Sequence, residues 1–148
     1  MLQITKIFHF EMAHAIHGYA GKCKNIHGHS YELHVTIMST NAATDEIPSP
    51  GFIIDFKDLK DLVNETVIDL FDHRLVLSKQ FLENNQALAN LENLYIMNSE
   101  PTAENILLLI RKKISNKLPP DLRLTGLKLF ETKDSYAVWE MDTPEPDK

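Results

Sequence analysis

Two segments near the start of the chain alternate apolar and polar residues, and this alternation constrains the fold more than any other feature. The first runs from Ile4 to His14 and places Phe8, Phe10, Met12 and His14 on one face. The second runs from His27 to Ile37, and both His27 and His29 lie on its apolar side. Successive side chains of a β-strand point to opposite faces, so the pattern predicts two strands that each carry histidine on the buried face.

The remaining elements predict an α+β domain with the order ββααββ, in which a four-stranded antiparallel sheet has two helices on one face. Asp55 is placed to cap the first helix, and Thr102 to cap the second. Strands are predicted over 122–132 and 136–141, and a short helix over 79–89. The predicted apolar stripe of the first helix comprises Leu59, Leu62, Val63, Val67 and Leu70, and that of the second comprises Ile106, Leu107, Ile110, Ile114 and Leu118.

Composition narrows the class of protein. With 148 residues, of which 43% are hydrophobic, we expect a single domain over 1–142 and a disordered tail over 143–148. The net charge of −6 argues against a broad nucleic-acid or anionic-membrane surface, so a polyanionic ligand would need a local basic pocket. The sequence lacks a membrane-spanning apolar run and a signal peptide, and we therefore expect a cytoplasmic protein.

Histidine is concentrated where the two strands begin and end. Five of the seven histidines fall within the first thirty residues. His27-Gly28-His29 places two imidazoles on one side of a strand, and His14 ends the apolar face of the strand before it. Three imidazoles with an open fourth position are typical of catalytic zinc, although strand histidines also serve simply as hydrogen-bonding groups. His9, His17 and His34 are interpreted as surface or loop residues.

Cys23, the only cysteine, lies on a loop between the two strands and is flanked by Lys22 and Lys24. A single cysteine forms no intramolecular disulfide, which leaves three interpretations. It is a nucleophile favoured as thiolate by nearby positive charge, a fourth zinc ligand that closes the site, or a small buried apolar residue.

Two acidic positions complete the candidate site. Asp72 directly precedes His73, and a carboxylate beside an imidazole can tune proton transfer, although such a pair is also common where a helix ends. Glu131 lies on a predicted strand on the face of Leu127 and Leu129, where a carboxylate is costly unless it is paired. It could accept N–H donors from a guanidine-like ring edge.

Taken together, these residues resemble the 6-pyruvoyl-tetrahydropterin synthase family and its bacterial branch, the 6-carboxytetrahydropterin synthases. The matching elements cover the chain up to about residue 140. They are Phe10-Glu11-Met12-Ala13-His14, Cys23-x3-His27-Gly28-His29, Gly51-Phe52-Ile53-Ile54-Asp55-Phe56, Asp72-His73, Pro101-Thr102-Ala103-Glu104-Asn105 and Phe130-Glu131-Thr132.

The resemblance implies a role for each matching residue. His14, His27 and His29 would hold Zn²⁺, Cys23 would be the general base, and Asp72 with His73 would form a proton relay. Glu131 would anchor a pterin ring, and Thr102 would also contact the substrate. Lys22, Lys24 and Arg74 are our candidates for triphosphate contacts, with solvated surface as the alternative for the lysines.

The resemblance also implies the tunnelling fold, in which subunits join their sheets into a barrel as a trimer or hexamer with sites between subunits. Free sheet edges favour such pairing on physical grounds. Asp72 and His73 would then face a cysteine from another chain.

Within the family, the Cys23-x3-His27 spacing favours the carboxy branch, which makes 6-carboxy-5,6,7,8-tetrahydropterin from 7,8-dihydroneopterin triphosphate for queuosine and deazapurine synthesis. The runner-up is the pyruvoyl synthase, followed by a variant that makes 6-hydroxymethyldihydropterin. An alternative hypothesis from a different functional class is a non-catalytic, zinc-stabilised assembly protein.

Overall fold

The protein, described by a computed structural model over residues 1–41 and 45–142, is built on a six-stranded sheet. The strands are β1 (Ile4–His14), β2 (His27–Ser39), β3 (Arg74–Ser78), β4 (Leu94–Met97), β5 (Leu122–Thr132) and β6 (Ser135–Glu140). Their order across the sheet is β4-β3-β1-β2-β5-β6. The α+β class is confirmed, and the four predicted strands pair antiparallel as β1, β2, β5 and β6.

The prediction of a four-stranded, wholly antiparallel sheet was wrong, because β3 and β4 extend it beyond β1. Strand β3 runs parallel to β1, pairing with Met12–His14, and β4 runs parallel to β3. Parallel strands need a crossover between them. Here the crossover is the helix α3 (Lys79–Glu83) with a 3₁₀ turn (Gln86–Asn90), which together occupy the place of the helix predicted over 79–89.

Two longer helical segments cover one face of the sheet. The first is α1 (Phe56–Val63), which continues through a π-helical turn (Asn64–Ile68) into α2 (Asp69–Phe71). The second is α4 (Ala103–Ser115). Both predicted caps are confirmed, since the Asp55 side chain accepts from the Lys57 N–H and the Thr102 side chain accepts from the Asn105 N–H.

The π-helical turn explains which residues of the first helical segment are buried. Leu59, Val63, Val67 and Phe71 are all fully buried and are spaced four residues apart. In a regular α-helix each four-residue step turns about 40° past a full revolution, so a strict four-residue stripe drifts around the helix. The wider π turn reduces this drift. Phe71 therefore joins the stripe, whereas the predicted Leu62 and Leu70 are only half-buried.

The apolar faces of β1, β2 and β5 pack against these helices to form the main core, and the opposite face of these three strands carries mostly polar side chains. A smaller second cluster comprises Ala15, Leu75, Leu77 and Phe81. This arrangement buries His14 at the end of β1 and brings it beside the start of β2. The tail predicted over 143–148 lies outside the described residues. Among the helices of the described residues, none has the length and apolarity to cross a membrane.

Candidate active site and metal centre

Three histidines meet at one end of the sheet, as the strand alternation predicts. His14 pairs directly with His27 in the β1–β2 ladder, and His29 follows on the same face. One ligand nitrogen from each ring lies within 4.8 Å of those from the other two, with His14 buried and the others partly buried. The predicted cluster is therefore present as a compact set of three imidazoles.

The hydrogen bonds of His14 and His27 aim their free nitrogens at each other. The Nδ1 of His14 donates to the Pro101 carbonyl and that of His27 donates to the Asn25 carbonyl, each at 2.7 Å. A carbonyl oxygen only accepts, so Nδ1 carries the proton and Nε2 is left with a lone pair. The two Nε2 atoms are 3.1 Å apart. Two lone pairs at that distance repel unless a cation lies between them.

His29 adds a second observation that fits a metal ion. Its Nε2 is buried and has no hydrogen-bond partner among the described residues, and the nearest Glu131 oxygen is 3.6 Å away, too far for a hydrogen bond. Burial lowers the pKa of both His14 and His29, against the opposing effect of Glu131. Neutral imidazoles are the form that ligates metal. The residues present therefore fit a Zn²⁺ ion.

Glu131 borders the cluster on β5. The pairing of β5 with β6 shifts register between Phe130 and Thr132, which leaves Glu131 outside the ladder. Its carboxylate oxygens lie 3.6 Å from His29 Nε2 and 4.0 Å from His14 Nε2. The side chain is partly exposed and keeps acceptor capacity for a ligand.

Cys23 shares one cavity with these groups. The cavity has a volume of about 490 Å³, and its wall includes His14, Cys23, Thr102 and Glu131. Cys23 lies on a 3₁₀ turn (Lys22–Lys24), and its carbonyl accepts from the Ile16 N–H at 2.9 Å. A thiol, a carboxylate and one imidazole of the cluster thus face a single space that can hold a small molecule.

Asp72 and His73 do not face this cavity. The Asp72 carboxylate accepts from the Glu11 N–H at 2.9 Å and contacts His73 Nδ1 at 3.0 Å. His73 is exposed, has a backbone φ of 60°, and lines a separate depression together with Arg74. A non-glycine residue in this left-handed region often marks a functional constraint. Within one chain, the predicted relay and Cys23 therefore occupy different surfaces.

The basic residues predicted to bind triphosphate lie on two different parts of the surface, with Arg74 beside His73 and the two lysines beside Cys23. Lys22 and Lys24 are exposed on the turn that carries Cys23, but they are not part of the cavity wall. Sequence reasoning assigned no site role to the Pro101 and Asn25 carbonyls, which orient His14 and His27, or to Glu100, whose carboxylate accepts from the His17 N–H. A backbone acceptor leaves no side-chain signal, and the partner of the Glu100 carboxylate is 83 residues away along the chain, so only its position before the Thr102 cap could have indicated Glu100.

Comparisons with known proteins agree with the motif resemblance. A family model described as 6-pyruvoyl tetrahydropterin synthase matches residues 3–142. The 6-carboxy-5,6,7,8-tetrahydropterin synthase of Rickettsia bellii is 36% identical over 141 residues, which cover 93% of this chain and 99% of the relative. The protein of the same name from Haemophilus influenzae is 32% identical over 146 residues, covering 95% and 99% respectively.

The fold comparison points the same way. The structure of Caenorhabditis elegans 6-pyruvoyl tetrahydropterin synthase matches with a TM-score of 0.68 over 95% of this chain and 96% of that chain, at 20% identity. At this identity the likeness concerns the fold. The family match over nearly all of the described residues, with relatives above 30% identity, shows that this chain belongs to the 6-pyruvoyl tetrahydropterin synthase family and is a lyase-type enzyme.

Proposed function

We propose that this enzyme converts 7,8-dihydroneopterin triphosphate and one water to 6-carboxy-5,6,7,8-tetrahydropterin, with release of acetaldehyde and triphosphate, in the queuosine and deazapurine pathway. The observation that carries the proposal is the shared cavity, in which Cys23, Glu131 and His14 of the histidine cluster line one space of about 490 Å³. The names of the relatives that match over nearly their full length support the product.

The histidine cluster is the proposed metal centre. His14, His27 and His29 would hold Zn²⁺, which when bound would polarise side-chain oxygens of the substrate and make the neighbouring carbon-bound proton more acidic. The carbonyl oxygens of Pro101 and Asn25 hold the rings of His14 and His27 in the tautomer that this requires. The chain therefore supplies both the ligands and the groups that orient them.

The other proposed site residues remove the proton or bind the substrate. Cys23 acts as the general base that removes the carbon-bound proton. Glu131 accepts N–H donors from the pterin ring, which fixes the ring beside the thiol. Thr102 contacts the substrate at the N-terminus of α4, and Lys22, Lys24 and Arg74 are the proposed triphosphate contacts.

Asp72 and His73 form the proposed proton relay, reaching Cys23 of a neighbouring subunit in a trimer or hexamer. Their separation from the cavity within one chain supports this assignment. The hydrogen bond from the Glu11 N–H fixes Asp72, and Asp72 in turn orients the His73 ring. The cytoplasmic location expected from the sequence stays a prediction.

Product analysis tests the proposed reaction. Purified zinc-loaded protein is incubated with 7,8-dihydroneopterin triphosphate, and the pterins are identified by mass. We expect 6-carboxytetrahydropterin together with acetaldehyde. A 6-pyruvoyl product would assign the runner-up activity, 6-hydroxymethyldihydropterin the folate-precursor variant, and the absence of any pterin product would favour the non-catalytic assembly protein.

The substitution Cys23→Ala separates the roles left open for the thiol. We expect turnover to fall by at least about 100-fold, as for loss of a general base, while zinc content and oligomer size stay unchanged. Metal analysis and gel filtration of the same sample provide the check. Loss of zinc from this variant would instead make Cys23 a metal ligand.

A further inference from the structure

A hydrogen bond anchors the loop that carries Cys23 to a different part of the fold. Within the loop, the Ile16 N–H donates to the Cys23 carbonyl at 2.9 Å, and the Lys24 N–H donates to the Gly21 carbonyl at 3.2 Å. The N–H of the next residue, His17, donates to Glu100 Oε1 at 2.5 Å. Glu100 lies 83 residues further along the chain, so this bond joins two separate segments.

Glu100 is itself held in place by the start of α4. Its carbonyl accepts from the Asn105 side chain at 3.0 Å and from the Thr102 N–H at 2.9 Å. The residue after it, Pro101, gives the carbonyl that binds His14 Nδ1. One short segment therefore contacts the metal-ligand candidate His14 through its backbone and the cysteine loop through the Glu100 side chain.

We infer that Glu100 is a positioning residue that fixes Cys23 relative to the histidine cluster. His17 is bound by Glu100, and its neighbour Ile16 is bound by the Cys23 carbonyl, so two successive hydrogen bonds join the carboxylate to the backbone of the cysteine. Since the same segment orients His14, the thiol and the cluster share one anchor. A displacement of about 1 Å in such an arrangement can lower a rate by about 100-fold.

The consequence for turnover rests on the proposed function, but the order of the loop does not. Cys23 is the only cysteine, so alkylation by iodoacetamide, followed by mass of the intact protein, reports on this one loop. Hydrogen exchange of the peptide that spans residues 15–26 gives a second, independent reading.

Three variants at position 100 test the inference. Glu100→Ala removes the acceptor, and Glu100→Asp keeps the charge but shortens the reach of the side chain. Both variants should raise the rate of Cys23 alkylation and the hydrogen exchange of the loop by about 10- to 100-fold. This is the range expected for loss of a charge-assisted hydrogen bond. Glu100→Gln keeps an acceptor oxygen but loses the charge, and should therefore raise both readings by only about fivefold, less than Glu100→Ala. Glu92→Ala, which removes an exposed carboxylate before β4, is the matched control and should change neither reading.

Kinetics separate positioning from a general structural effect. Glu100→Ala should lower kcat by about 10-fold or more, leave KM within about threefold, and retain zinc, with the rate restored in Glu100→Gln. Alkylation and exchange that stay at the wild-type level in both Glu100→Ala and Glu100→Asp would overturn the inference whatever the activity. If the wild-type protein shows no pterin turnover, the proposed function is contradicted instead. The alkylation and exchange measurements would still decide the role of Glu100.

Discussion

His27 is the residue at which the metal assignment is most directly tested, because β2 supplies its own control. His27 faces the cluster, whereas His34 lies on the same strand but on the polar sheet face, where its ring contacts Glu32 at 2.6 Å. His27→Ala should lower bound zinc from about one ion per chain to a small fraction, since a site of three imidazoles loses one ligand. Elemental analysis after dialysis gives the measurement. His34→Ala should keep its metal, and stoichiometric zinc in His27→Ala would contradict the ligand set.

Asp72 gives a pH-dependent prediction at the same scale. The hydrogen bond from the Glu11 N–H lowers the pKa of Asp72, and His73 adds to this effect. Because the pKa of Asp72 is lower in the folded state, the group stabilises the fold at pH values above its pKa in the unfolded chain, about 3.9. This stabilisation is lost as the pH falls through the folded-state pKa.

Asp72→Asn keeps an acceptor for the Glu11 N–H but removes the charge. Its Tm should lie below that of the wild type at pH 7, and the difference should begin to close below about pH 4. Thermal unfolding across this range measures the difference. Asp69→Asn, which removes an exposed carboxylate three residues earlier, should show no such closing gap. A constant gap for Asp72→Asn at every pH would contradict the assigned cause.

At the scale of elements, Asp55 shows that a residue of a family motif can serve structure. Its Oδ1 accepts from the Lys57 N–H at 2.8 Å and caps α1. The preceding Ile53 lies near Met38, at the end of β2 away from the histidines. Asp55→Ala should therefore cost about 1 kcal/mol of unfolding free energy in urea, with zinc content and product unchanged. Asp55→Ser retains a capping oxygen and should recover most of the loss, and a loss of zinc in Asp55→Ala would contradict a purely structural role.

The elements that could be predicted from the sequence are those in which a local pattern decides the structure. Alternation sufficed for β1 and β2 and hence for the histidine cluster, because residues two apart on a strand always share a face. The caps at Asp55 and Thr102 were equally local, since each side chain bonds an N–H two or three residues away.

The remainder depended on contacts that are distant in sequence. Strands β3 and β4 are only five and four residues long, and their parallel pairing is set by β1, some sixty residues earlier than β3. No local period marks so short a buried run. The hydrogen bond between Glu100 and His17 also joins residues that are distant in sequence, so no local pattern predicts it. The proximity of Glu131 to His29 depends on the pairing of β5 with β2.

At the scale of the whole molecule, the sheet keeps open edges that suit self-association. Strand β3 pairs with β1 only at Met12–His14, so the earlier part of β1 has no sheet neighbour on that side among the described residues. Strand β6 ends the sheet at the other side. Exposed apolar side chains lie at both places, with Ile7 48% and Val138 46% exposed. Pairing of these edges between copies would cover both.

Such pairing also predicts how Cys23 and His73 come together in one active site. Cys23 lines the cavity that it shares with Glu131, and His73 lines another depression. An enzyme that needs both must join them across two chains or bring them together by a rearrangement within one. Cys23→Ala and His73→Ala should each be inactive alone. If the site is shared, subunits of the two variants that are dissociated, mixed and reassembled should regain about a quarter of wild-type activity, because random pairing places an intact Cys23 opposite an intact His73 at about that frequency.

Gel filtration with light scattering provides the control, since each variant and the mixture should have the same mass, a multiple of the 17.0 kDa chain. A mixture that assembles but stays inactive would place Cys23 and His73 in the same site of a single chain. Recovered activity is incompatible with that arrangement, because every chain in the mixture lacks one of the two groups. The mixing experiment therefore distinguishes a site between subunits from a site within one, which neither variant can do alone.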